Sequence, residues 1–325
     1  MIYLLASEKA VDVSNESYAT DFILLGFSDQ PQLERILFVV VLISYLVTLM
    51  GNSTIILVSY LDVQLHTPMY FFLSNLSFLD LCFTTSIVPQ MLVNLWGPKK
   101  TITYWGCVLQ FIISGDLGAT ECVLLAVMAY DRYAAICQPL HYTVIMNPQL
   151  CHKLVLATWL TALGCAILVC TLTLKLPRCG HREVDNFFCE MPALTKLACV
   201  SSKVVETVVF VLGVVLLVVP LSLILISYGM ITRAVMRIKS ASRWGKILNT
   251  CGSHLTVVTL FYGTAISMYM RPPNKGKSQE GEKFLTLFYT IITPSLNPLI
   301  YTLRNKDVKS AVKRLLFVKK FLVKS

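Results

Sequence analysis

The chain has 325 residues, of which 55% are hydrophobic and only 14% are charged, and its mean hydropathy is +0.67. Charged residues make up about a quarter of an ordinary soluble domain, so this composition excludes that class and predicts a membrane protein. The net charge of +10 lies in loops and in the C-terminal tail, beside apolar segments. It therefore does not indicate a soluble basic face for nucleic acid, and no nucleic-acid partner is expected.

In chain order, the sequence contains seven apolar stretches that are each long enough to cross a bilayer. About 20 apolar residues span a hydrocarbon core as a helix, because only a helix satisfies the backbone N–H and C=O groups within one segment. The predicted spans are Ile36–Leu61, Pro68–Leu92, Gly106–Cys137, Leu150–Leu174, Val204–Met236, Ile247–Met270 and Lys283–Leu303. We therefore expect an all-α bundle of seven transmembrane helices over residues 36–303, an extracellular tail over 1–35, and a short amphipathic C-terminal helix and cytoplasmic tail over 304–325.

The flanking segments indicate how the chain is oriented. Met1–Ala10 is too short for a secretory signal, so the first span is expected to act as the signal anchor. A sequon places glycosylation at Asn15 and favours an extracellular N-terminus. Arg233–Lys246 has five basic residues and no acid, and Arg304–Lys324 has eight against one. Both segments suit the anionic cytoplasmic leaflet, which predicts a cytoplasmic C-terminus and contact with membrane lipid.

Polar residues within the spans mark the interior of the bundle. Asp80 and Glu121 lie deep in the second and third spans, where a charge costs at least ~2.5 kcal/mol, so both should face inward. Ser114, Gly118 and Glu121 share one helical face, and that face is predicted to line a pocket. Asp116 lies about 200° from Ser114 around the helix, so we expect it to have a structural role and not to pair with a basic ligand.

The eleven cysteines divide by location. Cys107, Cys179, Cys189 and Cys199 fall on the predicted outer side, where an oxidising compartment favours two disulfides whose pairing the spacing leaves open. The remaining cysteines lie in or beside spans as small hydrophobic residues. No Cys or His spacing indicates zinc, and no cofactor is predicted. His254 has no acid or base partner in the sequence, and no catalytic group is assembled, so the chain is predicted not to be an enzyme.

Four motifs together carry a family resemblance. They are LHTPMYFFL from Leu65, MAYDRYAAIC from Met128, TCGSHL from Thr250 and PSLNPLIYTLRN from Pro294. In combination they resemble the olfactory receptors of the tetrapod (class II) type, within the rhodopsin-like G-protein-coupled receptors. The resemblance implies a receptor that binds small volatile odorants in an apolar pocket and activates a stimulatory, olfactory-type heterotrimeric G protein to raise cyclic AMP. It also implies the plasma membrane of sensory cilia and help from receptor-trafficking chaperones.

The resemblance further implies roles for individual residues. It pairs Cys107 with Cys189 and Cys179 with Cys199. The implied ligand-binding residues are Ser114, Gly118, Cys165, Val169, Leu212, Gly213, Leu216, Tyr262, Ala265, Tyr269, Thr286 and Thr290. The implied residues of G-protein coupling and activation are Asp131, Arg132, Tyr133, Tyr228, Asn297, Pro298 and Tyr301. The implied polar core consists of Asn52, Asp80, Glu121 and Ser295. Apart from a possible sodium ion near Asp80 and Glu121, no metal is expected. This polar core either forms a sodium-linked switch or only sets the packing of the helices.

One departure and two alternatives remain. Trp244 and Gly245 replace residues that are usually polar or basic in the family, on the face expected to meet the G protein. The first alternative to an odorant receptor is a receptor of the same class that is expressed outside the nose and senses a metabolite. A seven-span transporter or channel would instead predict inverted repeats or helices broken at the membrane midplane, and the sequence has neither.

Overall fold

The structure, a computed structural model, describes residues 21–200, 202–237, 241–269, 279–304 and 307–314, without the side chains of residues 241–250, 269, 279, 303 and 304. The helices are α1 (Pro31–Leu61), α2 (Pro68–Trp96), α3 (Tyr104–Cys137), the short α4 (Tyr142–Ile145), α5 (Pro148–Leu174), the short α6 (Met191–Thr195), α7 (Lys203–Met236), α8 (Ala241–Tyr269), α9 (Gln279–Leu287) and α10 (Thr293–Arg304). A 3-10 turn at Val63–Leu65 follows α1, and a π-helical turn at Phe288–Ile292 joins α9 to α10.

Seven long helical runs form one bundle. Within the described residues, α1, α2, α3, α5, α7 and the run Glu280–Thr302 are long and apolar enough to cross a membrane. The seventh run is α8, which has 29 residues. The predicted seven-transmembrane bundle is confirmed. α1 begins at Pro31, earlier than the predicted Ile36, because proline fixes a helical φ and needs no hydrogen bond at a first helical position.

The third helix lies at the centre of the bundle, and the first packs on the seventh. α3 contacts α2, α5, α7 and α8, whereas α1 contacts α2 and α10. Gly51 permits the close approach of α1 and α10, since a Cβ there would lie 2.7 Å from Cβ of Pro298. α1, α5 and α7 expose many large apolar side chains. A bilayer stabilises such faces, and an aqueous solvent does not.

A small sheet closes one end of the bundle. β1 (Phe22–Leu24) pairs antiparallel with β2 (Thr101–Ile102) and parallel with β3 (Glu183–Val184). The guanidinium of Arg178, in the long loop between α5 and α7, lies 4.9 Å from the ring centroid of Phe22. This contact fixes β1 against that loop. The sequence predicted only helices. Strands of two or three residues carry no readable alternation, which is why this sheet was not foreseen.

The same end carries both disulfides, and we call it the cap end. Cys107–Cys189 joins α3 to the long loop between α5 and α7, and Cys179–Cys199 closes that loop on itself. Both pairings implied by the family resemblance are formed in the structure.

The opposite end carries the predicted C-terminal helix. Residues 307–314 are helical, and Val308 and Ala311 on one side are buried. Arg314 donates two hydrogen bonds, of 2.9 and 2.6 Å, to Oδ2 of Asp62, which follows α1. This ion pair ties the amphipathic helix to the end of the first span.

Candidate functional site

A cavity of about 220 Å³ lies between α3, α5, α7 and α8, below the small sheet and the disulfide-linked loop of the cap end, which together we call the cap. Its wall is mostly apolar, with Phe111 and Phe261 among the larger side chains. Eight of the residues implied as ligand contacts line it: Ser114, Gly118, Cys165, Val169, Leu212, Gly213, Leu216 and Ala265. The structure therefore brings together residues of four helices that are far apart in the sequence.

Three other implied contacts do not reach this cavity. Tyr262 is buried and donates its hydroxyl to the backbone oxygen of Cys122 over 2.8 Å. Thr290 is buried outside the lining, and Thr286 borders a smaller polar pocket of about 20 Å³. Tyr289 lines the main cavity instead. The π-helical turn explains the difference for the seventh span, because its wider turn changes which side chains face inward.

Some implied residues lie outside the described part of the chain. They are Asn15 and the side chain of Tyr269. The backbone at Trp244 and Gly245 is helical, but their side chains are also outside it.

The rotation of α3 agrees with the sequence-based expectation. Ser114 and Gly118 face the cavity, and a Cβ added at Gly118 would meet no atom within 4 Å. Asp116 does not line the cavity and accepts a hydrogen bond of 3.4 Å from the hydroxyl of Thr120. Glu121 reaches the cavity wall, and within the described residues its Oε1 is buried without a hydrogen-bond partner.

Glu190 lines the cavity from the loop between α5 and α7, which forms its roof, and is not among the residues predicted from the sequence. Its side chain accepts hydrogen bonds from the amide of Asn186 and the hydroxyl of Tyr289, and Glu190 is only 4% exposed. Burial is the main cause that raises the pKa of Glu190, to about 7, against the effect of these hydrogen bonds. One signal was available: Glu190 follows Cys189, and the Cys107–Cys189 bond holds that point of the loop over α3.

At the opposite end, Arg132 is held by its neighbour. Its guanidinium pairs with Oδ2 of Asp131, which is 1% exposed. The hydroxyl of Tyr142, on α4, donates to Oδ1 of the same carboxylate over 2.7 Å. Tyr133 accepts a hydrogen bond of 3.3 Å from the amide of Gln138 and takes no part in this ion pair. Both carboxylate oxygens of Asp131 are thus occupied.

Two tyrosines implied in activation lie in the core beneath this pair. Tyr228 shares a hydrogen bond of 2.8 Å with Nδ1 of His254, so the histidine that the sequence left without a partner has one. Tyr301 is buried, and within the described residues its hydroxyl has no partner. Neither tyrosine is hydrogen-bonded to Arg132 in this arrangement.

The implied polar core separates into smaller groups. The amide of Asn297 donates to both oxygens of Asp80, at 3.3 and 3.1 Å. The amide of Asn52 donates to the backbone oxygen of Pro294 at 3.4 Å, which links α1 to α10. Ser295 bonds to its own helix at the backbone oxygen of Ile292. The described residues contain no group of three or more His, Cys, Asp or Glu that could hold a metal. Sodium near Asp80 and Glu121 stays a prediction.

A ligand-sized cavity under a covalently closed cap, with a restrained arginine at the far end, is the architecture of a seven-helix membrane receptor. The chain belongs to the olfactory receptor family, whose sequence profile, described as "Olfactory receptor", matches residues 41–319. The family consists of receptors and not of enzymes, in agreement with the sequence analysis.

Human relatives are similar over nearly the whole chain. Olfactory receptor 2W1 of Homo sapiens is 61% identical over 306 residues, which cover 94% of this chain and 95% of the relative. Olfactory receptor 2G3 is 60% identical and covers 94% of this chain and 98% of its own length. Olfactory receptor 2W3 is also 60% identical, with 97% and 100% covered.

Proposed function

We propose that this receptor binds small volatile organic molecules in the cavity and then activates a stimulatory, olfactory-type heterotrimeric G protein, which raises cyclic AMP. The cavity carries the first half of the proposal. A dry apolar cavity of ~150 Å³ suffices to bind benzene, and this one has about 220 Å³. It therefore fits an odorant somewhat larger than benzene, held mainly by burial of apolar surface.

The far end of the bundle supports the second half. Arg132 keeps its charge at every accessible pH, and its only ion-pair partner among the described residues is Asp131. A movement of α3 or α4 that separates this pair would present a cation to a partner protein. Since α3 carries both cavity-lining residues and Arg132, ligand binding would then favour the state of α3 in which Arg132 is exposed.

The proposal includes a location. The cap end is extracellular and the Arg132 end cytoplasmic, in the plasma membrane and the cilia of sensory neurons. Disulfides at the cap end support this orientation, because they persist in an oxidising compartment. Membrane lipid covers the apolar faces of α1, α5 and α7, and trafficking chaperones assist delivery.

A cyclic AMP reporter screen tests the function. Cells that express the receptor with trafficking chaperones are exposed to a broad panel of odorants and metabolites, at a measured surface density. Gly213→Val should reduce the responses, because Gly213 lines the cavity and a Cβ there meets nothing within 4 Å. Gly164→Val is the matched control: it also has open space, and it does not line the cavity. The proposal would be contradicted if the receptor reaches the cell surface and none of the tested compounds raises cyclic AMP.

A further inference from the structure

The hydroxyl groups that line the cavity already donate hydrogen bonds within the protein. Three of the described lining residues carry a hydroxyl, and each hydroxyl donates to the protein. Ser114 donates to the backbone oxygen of Phe111 over 3.2 Å, Thr264 donates to the backbone oxygen of Leu260 over 2.8 Å, and Tyr289 donates to Glu190. The thiols in the wall are weak donors. A ligand that can only accept hydrogen bonds therefore finds no strong donor from these hydroxyls.

The carboxylate of Glu190, in contrast, can accept further hydrogen bonds. A carboxylate offers about four lone-pair sites. Glu190 accepts hydrogen bonds from Asn186 and Tyr289. A hydrogen bond with Thr286 has a smaller effect on its pKa. Acceptor capacity remains on a group that lines the cavity and is 4% exposed. Its pKa of about 7 leaves the carboxylate as the main form above neutral pH.

Two lysines of the described residues lie near Glu190, and neither forms an ion pair with it. Both border the small polar pocket that Glu190 also lines, and both are paired elsewhere: Lys196 with Glu282 at 2.7 Å, and Lys283 with Asp185 at 2.5 Å. The charge of Lys196 lowers the pKa of Glu190 but does not outweigh burial. Among the described residues, Glu190 is in no ion pair. The described lining has two carboxyl groups, Glu121 and Glu190. Oε1 of Glu121 has no hydrogen-bond partner there, whereas Glu190 is fixed in direction by its bonds with Asn186 and Tyr289 and forms no ion pair.

We infer that Glu190 is the specificity-determining anchor of the cavity, and that it selects small apolar ligands carrying an amine or a hydroxyl over ligands of equal size that only accept hydrogen bonds. The inference rests on the proposed function and narrows its ligand class. Amines are expected to bind best, since their hydrogen bond to a carboxylate is assisted by charge on both partners. Tyr289 donates to one oxygen of this carboxylate and so competes with the ligand for it.

The test compares hexylamine, 1-hexanol and methyl pentyl ether, which are of equal size, in concentration–response measurements of cyclic AMP on the full-length receptor. Wild type should respond to the amine and the alcohol at lower concentrations than to the ether. Glu190→Gln should weaken the amine and alcohol responses by about tenfold or more, the usual effect of losing a hydrogen bond to a charged group, and leave the ether response within about twofold. Glu206→Gln, an exposed glutamate on α7, is the matched control.

A second variant keeps the test decisive if Glu190→Gln does not reach the surface. Tyr289→Phe retains the carboxylate and removes one competing donor, so the preference for the amine over the ether should be kept or increased. A preference for the amine that survives Glu190→Gln, or that Tyr289→Phe abolishes, would overturn the assignment. Absence of any response in wild type, to these or other compounds, would instead contradict the proposed function.

Discussion

Tyr142 donates its hydroxyl to Oδ1 of Asp131 over 2.7 Å, while Arg132 engages Oδ2 of the same carboxylate. The short helix α4, in the connection between α3 and α5, is therefore coupled to the ion pair at the end of α3. Asp131 is buried, so loss of either partner would leave one of its carboxylate oxygens without that hydrogen bond. The two partners allow two separate predictions.

Arg132→Ala should abolish the odorant-evoked rise in cyclic AMP while leaving surface expression largely intact. Arg132 is the cation that we expect to engage the G protein, and alanine removes it without filling new space. Arg35→Ala is the control, because Arg35 is an exposed arginine at the start of α1. Unchanged signalling by Arg132→Ala at matched surface density would exclude this role.

Tyr142→Phe should raise basal cyclic AMP several-fold. The substitution keeps the ring and removes the hydrogen bond to Asp131, so the paired state loses ~1–3 kcal/mol relative to the released state. Tyr60→Phe is the control, since the side chain of Tyr60 near the end of α1 is exposed. Ligand-free reporter activity at equal surface density is the measurement, and equal basal levels in both variants would contradict the coupling.

Replacement of Cys107 or Cys189 by serine should prevent delivery to the cell surface. The bond joins residues 82 positions apart and holds the loop that carries Glu190 over the cavity, and loss of a native disulfide typically costs about 2–5 kcal/mol. Cys82→Ser, which removes a free thiol, should be delivered normally. Mass mapping that finds Cys107 and Cys189 as free thiols in mature receptor would refute the pairing.

Regular features of the molecule followed from the sequence, and irregular ones did not. Hydropathy is a local property, so the seven spans could be located, and the uniform period of α3 placed Ser114 and Gly118 on one face and Asp116 on another. The π-helical turn at Phe288–Ile292 interrupts that period in the seventh span and brings Tyr289 to the cavity. No residue type marks such a turn in advance.

The roof of the cavity shows a second limit. Glu190 lies in a loop, where no periodicity predicts the direction of a side chain. Its partners Asn186 and Tyr289 are 4 and 99 positions away. Only the folded chain shows that a carboxylate from the loop and a hydroxyl from the seventh span meet at the wall of the cavity.

Stability of the purified receptor should fall as pH rises from about 4.5 to about 7. Burial raises the pKa of Glu190 from its ordinary 4.5 to about 7. Below both values the folded and unfolded states are protonated alike; between them only the unfolded chain ionises, so the folded state loses roughly 3 kcal/mol and no more above pH ~7. Thermal unfolding in detergent should show this decline in wild type and a smaller one in Glu190→Gln. An equal decline in both would assign it to other groups.

Gly118→Val should change or erase the odorant response profile, whereas Asp116→Asn should affect ligand choice far less. Gly118 lines the cavity with open space beyond its Cα, so a valine side chain grows into volume that the odorant needs. Overpacking typically costs ~1–3 kcal/mol, or about one to two decades in potency. Asp116 lies two positions away at a similar depth and bonds to Thr120 outside the cavity, which makes it the internal control. Concentration–response curves for several odorants, at equal surface density, decide the comparison. If Asp116→Asn reorders the odorants and Gly118→Val does not, the rotation of α3 is wrong, and Asp116 replaces Glu190 as the candidate partner for basic ligands.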